Sequence, residues 1–250
     1  MVKKRIIPCL LLKNGRMVKG KQFKDYRDTG NPVSAAKVYN AQSADELIFI
    51  DIEASKEGRT ALKSVIEKAS EEVFMPFCVG GGINSIEIIS ELLLAGADKV
   101  SICTAAVENP NFIKEAVSVF GSQCIVVCID YKMVDGVAKV FTHCGTKCTE
   151  WEVFSYVEHI MKFEPGELLI HCIERDGMQI GYDLETLITI NKMVNVPVIA
   201  LGGVGSLDDF KNAFELADVS AVSAASIFHF TDQSPIKANF YLKSKGIRLR

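Results

Sequence analysis

This 250-residue chain has three aspartates in or next to short apolar runs, which makes them candidates for moving protons. Asp130 ends one run, Asp51 lies in another, and Asp176 comes just after a third. A carboxylate at the carboxyl end of a buried parallel strand faces the site and can act as a general acid or base. We predict that Asp130 is catalytic. Asp51 and Asp176 fit a role in the site and the capping of turns equally well.

Two glycine pairs, which end at Gly82 and Gly203, could bind anions. Hydroxyl side chains follow further along the chain, at Ser101, Thr104 and Ser226. Glycine lets backbone N–H groups approach an anion closely, and hydroxyls with helix-start amides add further donors. Two such corners suit a substrate with a phosphate at each end. The alternative is that the glycines only make tight turns between strands and helices.

These corners recur because the chain repeats itself. Residues 75–85 match residues 196–206 at an offset of 121 residues, and each copy leads through a predicted helix into a strand and a turn of small residues. We therefore predict two half-barrels, at about residues 1–122 and 123–250.

The elements that must position these residues are short β-branched runs that alternate with stretches of helical period. Eight runs in a chain of this length predict a closed (βα)8 TIM barrel, with residues 1–250 as a single domain. An open doubly wound sheet is the alternative. The runs cover approximately residues 5–11, 46–52, 76–80, 99–102, 124–130, 167–173, 197–201 and 219–223.

Four charged residues stand at the opposite, amino-terminal ends of the predicted strands. They are Arg5, Glu46, Lys99 and Glu167, two of each sign. Residues at that end of a barrel usually contribute to stability, because catalysis takes place at the other end. From the residues alone we interpret them as a structural ion-pair network.

Cysteines and histidines near the predicted catalytic end raise the hypothesis of a metal site, because thiolate and imidazole are zinc or iron ligands. The alternative is ordinary thiols, with His171 in contact with substrate. We expect no metal and no cofactor. The residues concerned are Cys103, His143, Cys144, Cys148, His171 and Cys172.

Composition excludes some classes of function. A net charge of −3 gives no basic excess for nucleic acid, and no apolar stretch is long enough to span a bilayer. The short apolar run after the amino terminus does not fit a secretory leader, so we expect a cytoplasmic protein. The chain has eight cysteines, and we expect Cys9, Cys78, Cys124 and Cys128 to be reduced thiols inside apolar strands.

Several stretches resemble the cyclase subunit of imidazole glycerol phosphate synthase, and the resemblance covers essentially the whole chain. It implies a TIM barrel that forms a heterodimer with a glutaminase subunit, whose ammonia crosses the barrel to a bis-phosphorylated ribulosyl imidazole precursor. Cleavage and cyclisation of that precursor give imidazole glycerol phosphate and an aminoimidazole carboxamide ribotide. The matching stretches are 4–10, 18–20, 27–32, 97–101, 121–123, 175–177, 181–183 and 225–230.

The resemblance also implies roles for individual residues. It makes the four charges at the barrel floor the gate of the ammonia entrance, with Asp98 and Gln123 at the face where the glutaminase docks. Gly82 and Thr104 resemble one phosphate site. Lys19 and Phe23 fall in a loop that closes over substrate. The second phosphate site is formed by Asp176, Gly177, Gly203 and Ser226.

The chain departs from the family pattern within the pocket. The family catalyses with two aspartates, and here Leu11 takes the place of the first while Asp130 keeps the second. Loss of a general acid or base typically costs about 10²–10⁴-fold in rate. Further departures are Glu53, Cys103, His171 and Leu201.

An unchanged gate with a changed pocket resembles a paralogous branch associated with amidation of bacterial surface sugars, which implies a sugar amidotransferase as a further partner. One alternative is a working histidine-pathway cyclase in which another group, such as Glu53, replaces the missing acid. A second is a barrel that catalyses nothing and only activates its glutaminase.

Overall fold

The computed structural model describes residues 3–57 and 63–250, in which strands and helices alternate along the chain. The strands are β1 (Arg5–Lys13), β2 (Arg16–Lys21), β3 (Lys24–Gly30), β4 (Leu47–Asp51), β5 (Phe77–Gly80), β6 (Lys99–Ile102), β7 (Ile125–Val134), β8 (Val137–Thr142), β9 (Lys147–Glu152), β10 (Glu167–Cys172), β11 (Val198–Leu201) and β12 (Ala221–Ala224). The helices are α1 (Pro32–Ala41), α2 (Ala54–Glu57), α3 (Lys63–Ser70), α4 (Ile86–Leu94), α5 (Thr104–Glu108), α6 (Pro110–Phe120), α7 (Val153–Ile160), α8 (Leu184–Met193), α9 (Leu207–Glu215), α10 (Ser226–Phe230) and α11 (Pro235–Ser244).

Eight parallel strands close into a barrel in the order β1, β4, β5, β6, β7, β10, β11 and β12. The last of these strands pairs with the first, so the barrel is closed. Each predicted run overlaps one of these strands. The prediction of a closed (βα)8 barrel is confirmed, and the open-sheet alternative is wrong.

Two antiparallel additions extend the barrel at the carboxyl ends of its strands. The hairpin of β2 and β3 continues from β1, and β8 and β9 form a meander that continues from β7. These strands lack an apolar run that would predict them from the sequence, because many of their residues are polar and exposed.

Side chains alternate between the barrel interior and the surrounding helices. In β1, Ile7, Cys9 and Leu11 belong to the interior cluster, whereas Ile6 and Leu10 pack in the layer between strands and helices. Successive residues of a strand point to opposite faces. Since both faces of a barrel strand are covered, an almost continuous apolar run results.

One pair of helices in the repeated segments has matching bounds. Helix α9 has the bounds of α4 shifted by 121 residues at both ends. Each begins after a serine cap: Ser85 accepts from Ile88 N, and Ser206 forms a capping box with Asp209. The division of the domain near residue 122 remains a prediction.

All eight cysteines lie in the described ranges and are free thiols. Cys124 corrects one expectation, because it lies in a 3-10 turn before β7 and not inside the strand. In residues 3–57 and 63–250, no helix has the length and apolar character needed to cross a membrane.

Candidate functional site

Both glycine pairs follow barrel strands at their carboxyl ends, and backbone packing requires glycine there. A Cβ on Gly81 would lie 2.4 Å from Asp51 O, and one on Gly203 would lie 2.1 Å from Gly181 O. Gly82 has φ +68°, a left-handed conformation that also favours glycine. The turns alone therefore account for part of the glycine pattern, as the alternative interpretation holds.

A cavity of about 280 Å³ opens at this end of the barrel. That volume is just below the range of about 300–1,000 Å³ that is typical of small-molecule sites. It joins the first glycine corner to the predicted catalytic residue and to the main departures from the family pattern. Residues that line it include Leu11, Gly82, Ser101, Thr104, Asp130 and His171.

Asp130 and His171 form the polar centre of this pocket. They are register partners in the neighbouring strands β7 and β10, and His171 Nδ1 lies 3.2 Å from Asp130 Oδ1. Burial by itself lowers the pKa of His171, but hydrogen bonds and charge from Asp130 and Asp176 outweigh it and raise that pKa to about 9. The Phe23 ring packs on His171 at a centroid distance of 4.8 Å. The imidazolium therefore lies between two carboxylates, under an aromatic ring.

The β2–β3 hairpin covers the second predicted phosphate corner. Lys19 Nζ lies 2.7 and 2.9 Å from the two carboxylate oxygens of Asp176, and the two side chains are 1% and 7% exposed. Gly177 touches the same hairpin, since a Cβ there would lie 2.5 Å from Gly20 O. Burial raises the pKa of Asp176, but His171 and Lys19 outweigh it, so that pKa is lowered.

The structure thus separates the two predicted phosphate sites. Gly82 and Thr104 line the pocket, whereas the residues of the second set are absent from its lining. Ser226 is buried, and its Oγ has no hydrogen-bond partner. The four residues of this second set, none of which lines the pocket, are Asp176, Gly177, Gly203 and Ser226.

Asp51 and Thr104 are held by local hydrogen bonds. Asp51 Oδ1 accepts from Glu53 N and Ala54 N, both at 3.1 Å, so it caps the start of α2. Thr104 Oγ1 accepts from His143 N at 3.0 Å. Asp51 is 2% exposed and also lines the pocket, so its capping and a role in the site coexist.

The four charged residues at the amino-terminal end of the barrel form a ring. Arg5 Nη1 lies 2.7 Å from Glu46 Oε2 and 3.2 Å from Glu167 Oε1. Lys99 Nζ lies 3.0 Å from Glu46 Oε1 and 2.9 Å from Glu167 Oε1. Burial lowers the pKa of Arg5, but Glu167 and Glu46 outweigh it, so that pKa is raised. The ring closes the floor with balanced charge.

Asp98 and Gln123 are both exposed near this floor. Asp98 precedes β6 and accepts from Phe77 N at 2.9 Å through Oδ2. Gln123 lies in the turn before β7, and its Nε2 donates to Phe120 O at 3.3 Å. Both side chains are therefore accessible at the end opposite the pocket, where we predicted a docking face.

The geometry of the pocket supports neither of two hypotheses. Glu53 pairs with Lys13 at 2.8 Å and does not line the cavity, so it is poorly placed to replace the acid missing at Leu11. The hypothetical set of six metal ligands does not form one cluster, because Cys172 packs in the layer between strands and helices and Cys148 is exposed.

A different cluster was missed in the sequence. Among the residues that the structure describes, Cys103, Cys128 and Asp130 bring their ligand atoms within 4.8 Å of one another. Cys128 had been interpreted as a buried hydrophobe. Its position two residues before Asp130 in the same strand was the available signal, because such residues share a face.

A closed barrel with a pocket around a carboxylate at the carboxyl ends of its strands is the architecture of barrel enzymes. Comparisons with known proteins identify the family: a protein-family model described as "Histidine biosynthesis protein" matches residues 5–234. The chain belongs to this family, in the group of imidazole glycerol phosphate synthase cyclase subunits.

Relatives match from end to end. "Imidazole glycerol phosphate synthase subunit HisF" of Geobacillus kaustophilus (strain HTA426) is 47% identical over 252 residues, which cover 100% of both chains. The proteins of the same name from Geobacillus thermodenitrificans (strain NG80-2) and Halalkalibacterium halodurans (strain ATCC BAA-125 / DSM 18197 / FERM 7344 / JCM 9153 / C-125) are 45% and 46% identical with the same coverage.

Proposed function

We propose that this protein is the synthase subunit of a glutamine amidotransferase, a paralogue of the histidine-pathway cyclase that serves sugar amidation in surface polysaccharide biosynthesis. It takes ammonia from a glutaminase subunit and acts on a phosphorylated substrate in the cytoplasm. The observation that carries the proposal is Leu11, which is 5% exposed and lines the pocket where the resemblance expects an aspartate.

The floor of the barrel supports an entry route for ammonia. The ring of Arg5, Glu46, Lys99 and Glu167 has no net charge and separates the outside from an apolar interior. Neutral ammonia has a far smaller desolvation cost on entering such an interior than a cation without partners. Asp98 and Gln123 are accessible beside the ring, which suits docking of a glutaminase there to form a heterodimer.

The pocket supports a small anionic substrate. Thr104 and Gly82 line the first corner, where a phosphate could accept hydrogen bonds. His171 and Lys19 are the cationic groups nearest to Asp130 and Asp176. The second corner lies under the hairpin, so a substrate with a phosphate at each end requires the hairpin to move.

The alternative is a working cyclase of histidine biosynthesis. It is favoured by the three full-length relatives, which carry the name of that enzyme subunit. This function requires a group that replaces the acid at Leu11. Since Glu53 is paired with Lys13 outside the pocket lining, His171 is the better placed group, at 3.2 Å from Asp130.

An ammonium-dependent assay separates the two functions. The purified chain is given the ribulosyl imidazole precursor and an ammonium salt, so that no glutaminase is needed. Our proposal predicts no turnover by the wild type. Turnover that disappears in Asp130→Asn would establish the histidine-pathway function and refute the sugar-amidation proposal.

Two further measurements complete the test. Leu11→Asp restores the expected acid, and we predict that it shows measurable cyclisation under conditions in which the wild type shows none. Stimulation of the partner glutaminase by the wild type tests the ammonia-handling role. A barrel that only activates its partner would give the same stimulation in Asp130→Asn and would bind no phosphorylated ligand.

A further inference from the structure

Two thiols and one carboxylate meet at the base of the pocket. Cys103 Sγ lies 3.5 Å from Asp130 Oδ2, and Cys128 Sγ lies 3.5 Å from Asp130 Oδ1. All three ligand atoms lie within 4.8 Å of one another. Cys128 and Asp130 are buried, and the three residues line the cavity. The cluster is therefore compact, and it is open on the side of the pocket.

The strand register explains why these side chains meet. Cys128 and Asp130 are two residues apart in β7, so both point into the barrel. Ile102 is the last residue of β6 and pairs with Val127, and Cys103 follows it directly, so Cys103 stands beside Cys128. Backbone geometry fixes the two thiols next to each other, with the carboxylate one layer nearer the opening.

This ligand set has the chemistry of a zinc site. Thiolate sulfur binds Zn²⁺ at about 2.3 Å and carboxylate oxygen at about 2.0–2.2 Å, and tetrahedral geometry then separates two bound sulfurs by about 3.8 Å. Ligand atoms already within 4.8 Å of one another need only small shifts to reach these distances. Thiolate ligands also select zinc over magnesium and calcium, which prefer oxygen.

We propose that Cys103, Cys128 and Asp130 bind one thiophilic divalent cation, with Zn²⁺ as the first candidate, and leave its fourth coordination position open to the pocket. Three protein ligands with one open position are the pattern of catalytic rather than structural zinc sites. A water molecule or an oxygen or nitrogen atom of the substrate would take the fourth position. This inference does not depend on the proposed function.

Proton balance and a neighbouring side chain complete the site. In the metal-free protein each thiol donates to Asp130, and binding releases the two thiol protons to solvent as two sulfur–metal bonds form. His171 Nδ1, 3.2 Å from Asp130 Oδ1, would orient the carboxylate from outside the ligand set. Such outer partners are usual for metal-binding carboxylates.

Cobalt titration of the full chain tests the proposal. The reduced protein is titrated with Co²⁺ under anaerobic conditions, and the thiolate-to-cobalt charge-transfer band is followed. We expect one equivalent to bind and Zn²⁺ to displace it. Cys103→Ala and Cys128→Ala should each weaken binding by more than about 100-fold, because loss of an outer partner already costs about 10–100-fold. Cys148→Ala is the matched control, since Cys148 is exposed and lies outside the cluster.

The outcomes are distinct. No charge-transfer band in the wild type would mean that the thiols serve only as hydrogen-bond donors to Asp130, and would refute the proposal. Retention of the band in both cluster variants, or its loss in Cys148→Ala, would refute it as well. Cys103→Ser and Cys128→Ser keep the side-chain size and repeat the test if an alanine variant does not fold. Because the readout is metal binding, a failed cyclisation assay has no bearing on the result.

Discussion

A buried ion pair joins the β2–β3 hairpin to the barrel, and Lys19→Met tests how far docking of the hairpin depends on it. Lys19 Nζ contacts both oxygens of Asp176, and the side chains are 1% and 7% exposed. Methionine keeps an apolar stem of similar length but removes the charge. Asp176 would then be buried with one cationic neighbour fewer.

The size of the effect can be worked out from these contacts. Removing one partner of a buried pair costs about 3–5 kcal/mol. His171 Nε2 remains 3.8 Å from Asp176 Oδ1 and offsets part of the loss, so we expect about 3 kcal/mol. The Gln22 amide reports on docking, because it donates to Asp176 O at 2.8 Å. Its hydrogen exchange should become about 100-fold faster, since about 1.4 kcal/mol corresponds to a factor of ten.

Native-state hydrogen exchange with residue resolution measures this directly. Arg16→Met is the matched control in the same hairpin, because the Arg16–Asp28 pair is half exposed, at 54% and 52%, and should contribute nothing measurable. An exchange rate at Gln22 in Lys19→Met no different from that of the control would refute the reasoning. It would mean that the buried pair does not hold the hairpin in place.

Three further predictions concern stability. Arg5→Met leaves Glu46, which is 1% exposed, with one cation fewer. It should lower the free energy of unfolding by about 3–5 kcal/mol, measured by urea denaturation. A loss of stability smaller than that of a surface substitution would show that the buried ring does not stabilise the fold. Gly81→Ala should cost more than Gly136→Ala in thermal unfolding, because both have positive φ but a Cβ at Gly81 meets backbone whereas one at Gly136 meets no atom within 4 Å; equal losses would contradict this. Burial lowers the pKa of His229 from 6.5 to about 4, so the folded protein favours the neutral imidazole. The stability that this gives is fully present above pH about 6.5 and is lost as the pH falls to about 4. In His229→Phe the free energy of unfolding, measured by urea denaturation, should decline less steeply with falling pH over that range. Parallel declines in the variant and the wild type would exclude the effect.

The sequence predicted the barrel and much of the pocket, because both follow from strand periodicity. Asp130 ends its apolar run and His171 nearly ends its own. Because the two strands are parallel neighbours, positions near their carboxyl ends lie side by side. The four charges of the floor were predictable for the same reason, since each stands at or just before the start of a strand.

Other features depend on long-range contacts that no local pattern encodes. The hairpin could not be placed, because its docking rests on Lys19 and Asp176, which are 157 residues apart. The thiol cluster was missed because a cysteine inside an apolar run is normally a small buried hydrophobe, and its partner Cys103 follows a different strand. Cys172 misled for the opposite reason, since one residue beyond His171 in a strand points to the other face.

The alternation along the barrel strands has a consequence for engineering. Ile7, Ile48, Val126 and Leu169 form an apolar interior between the charged floor and the pocket. Substitutions around Asp130 share no direct partner with the floor, so their effects on stability should add to those of floor substitutions. A different reaction could therefore be installed by exchanging the upper interior residues alone, while the charged ring at the other end of the same strands is kept.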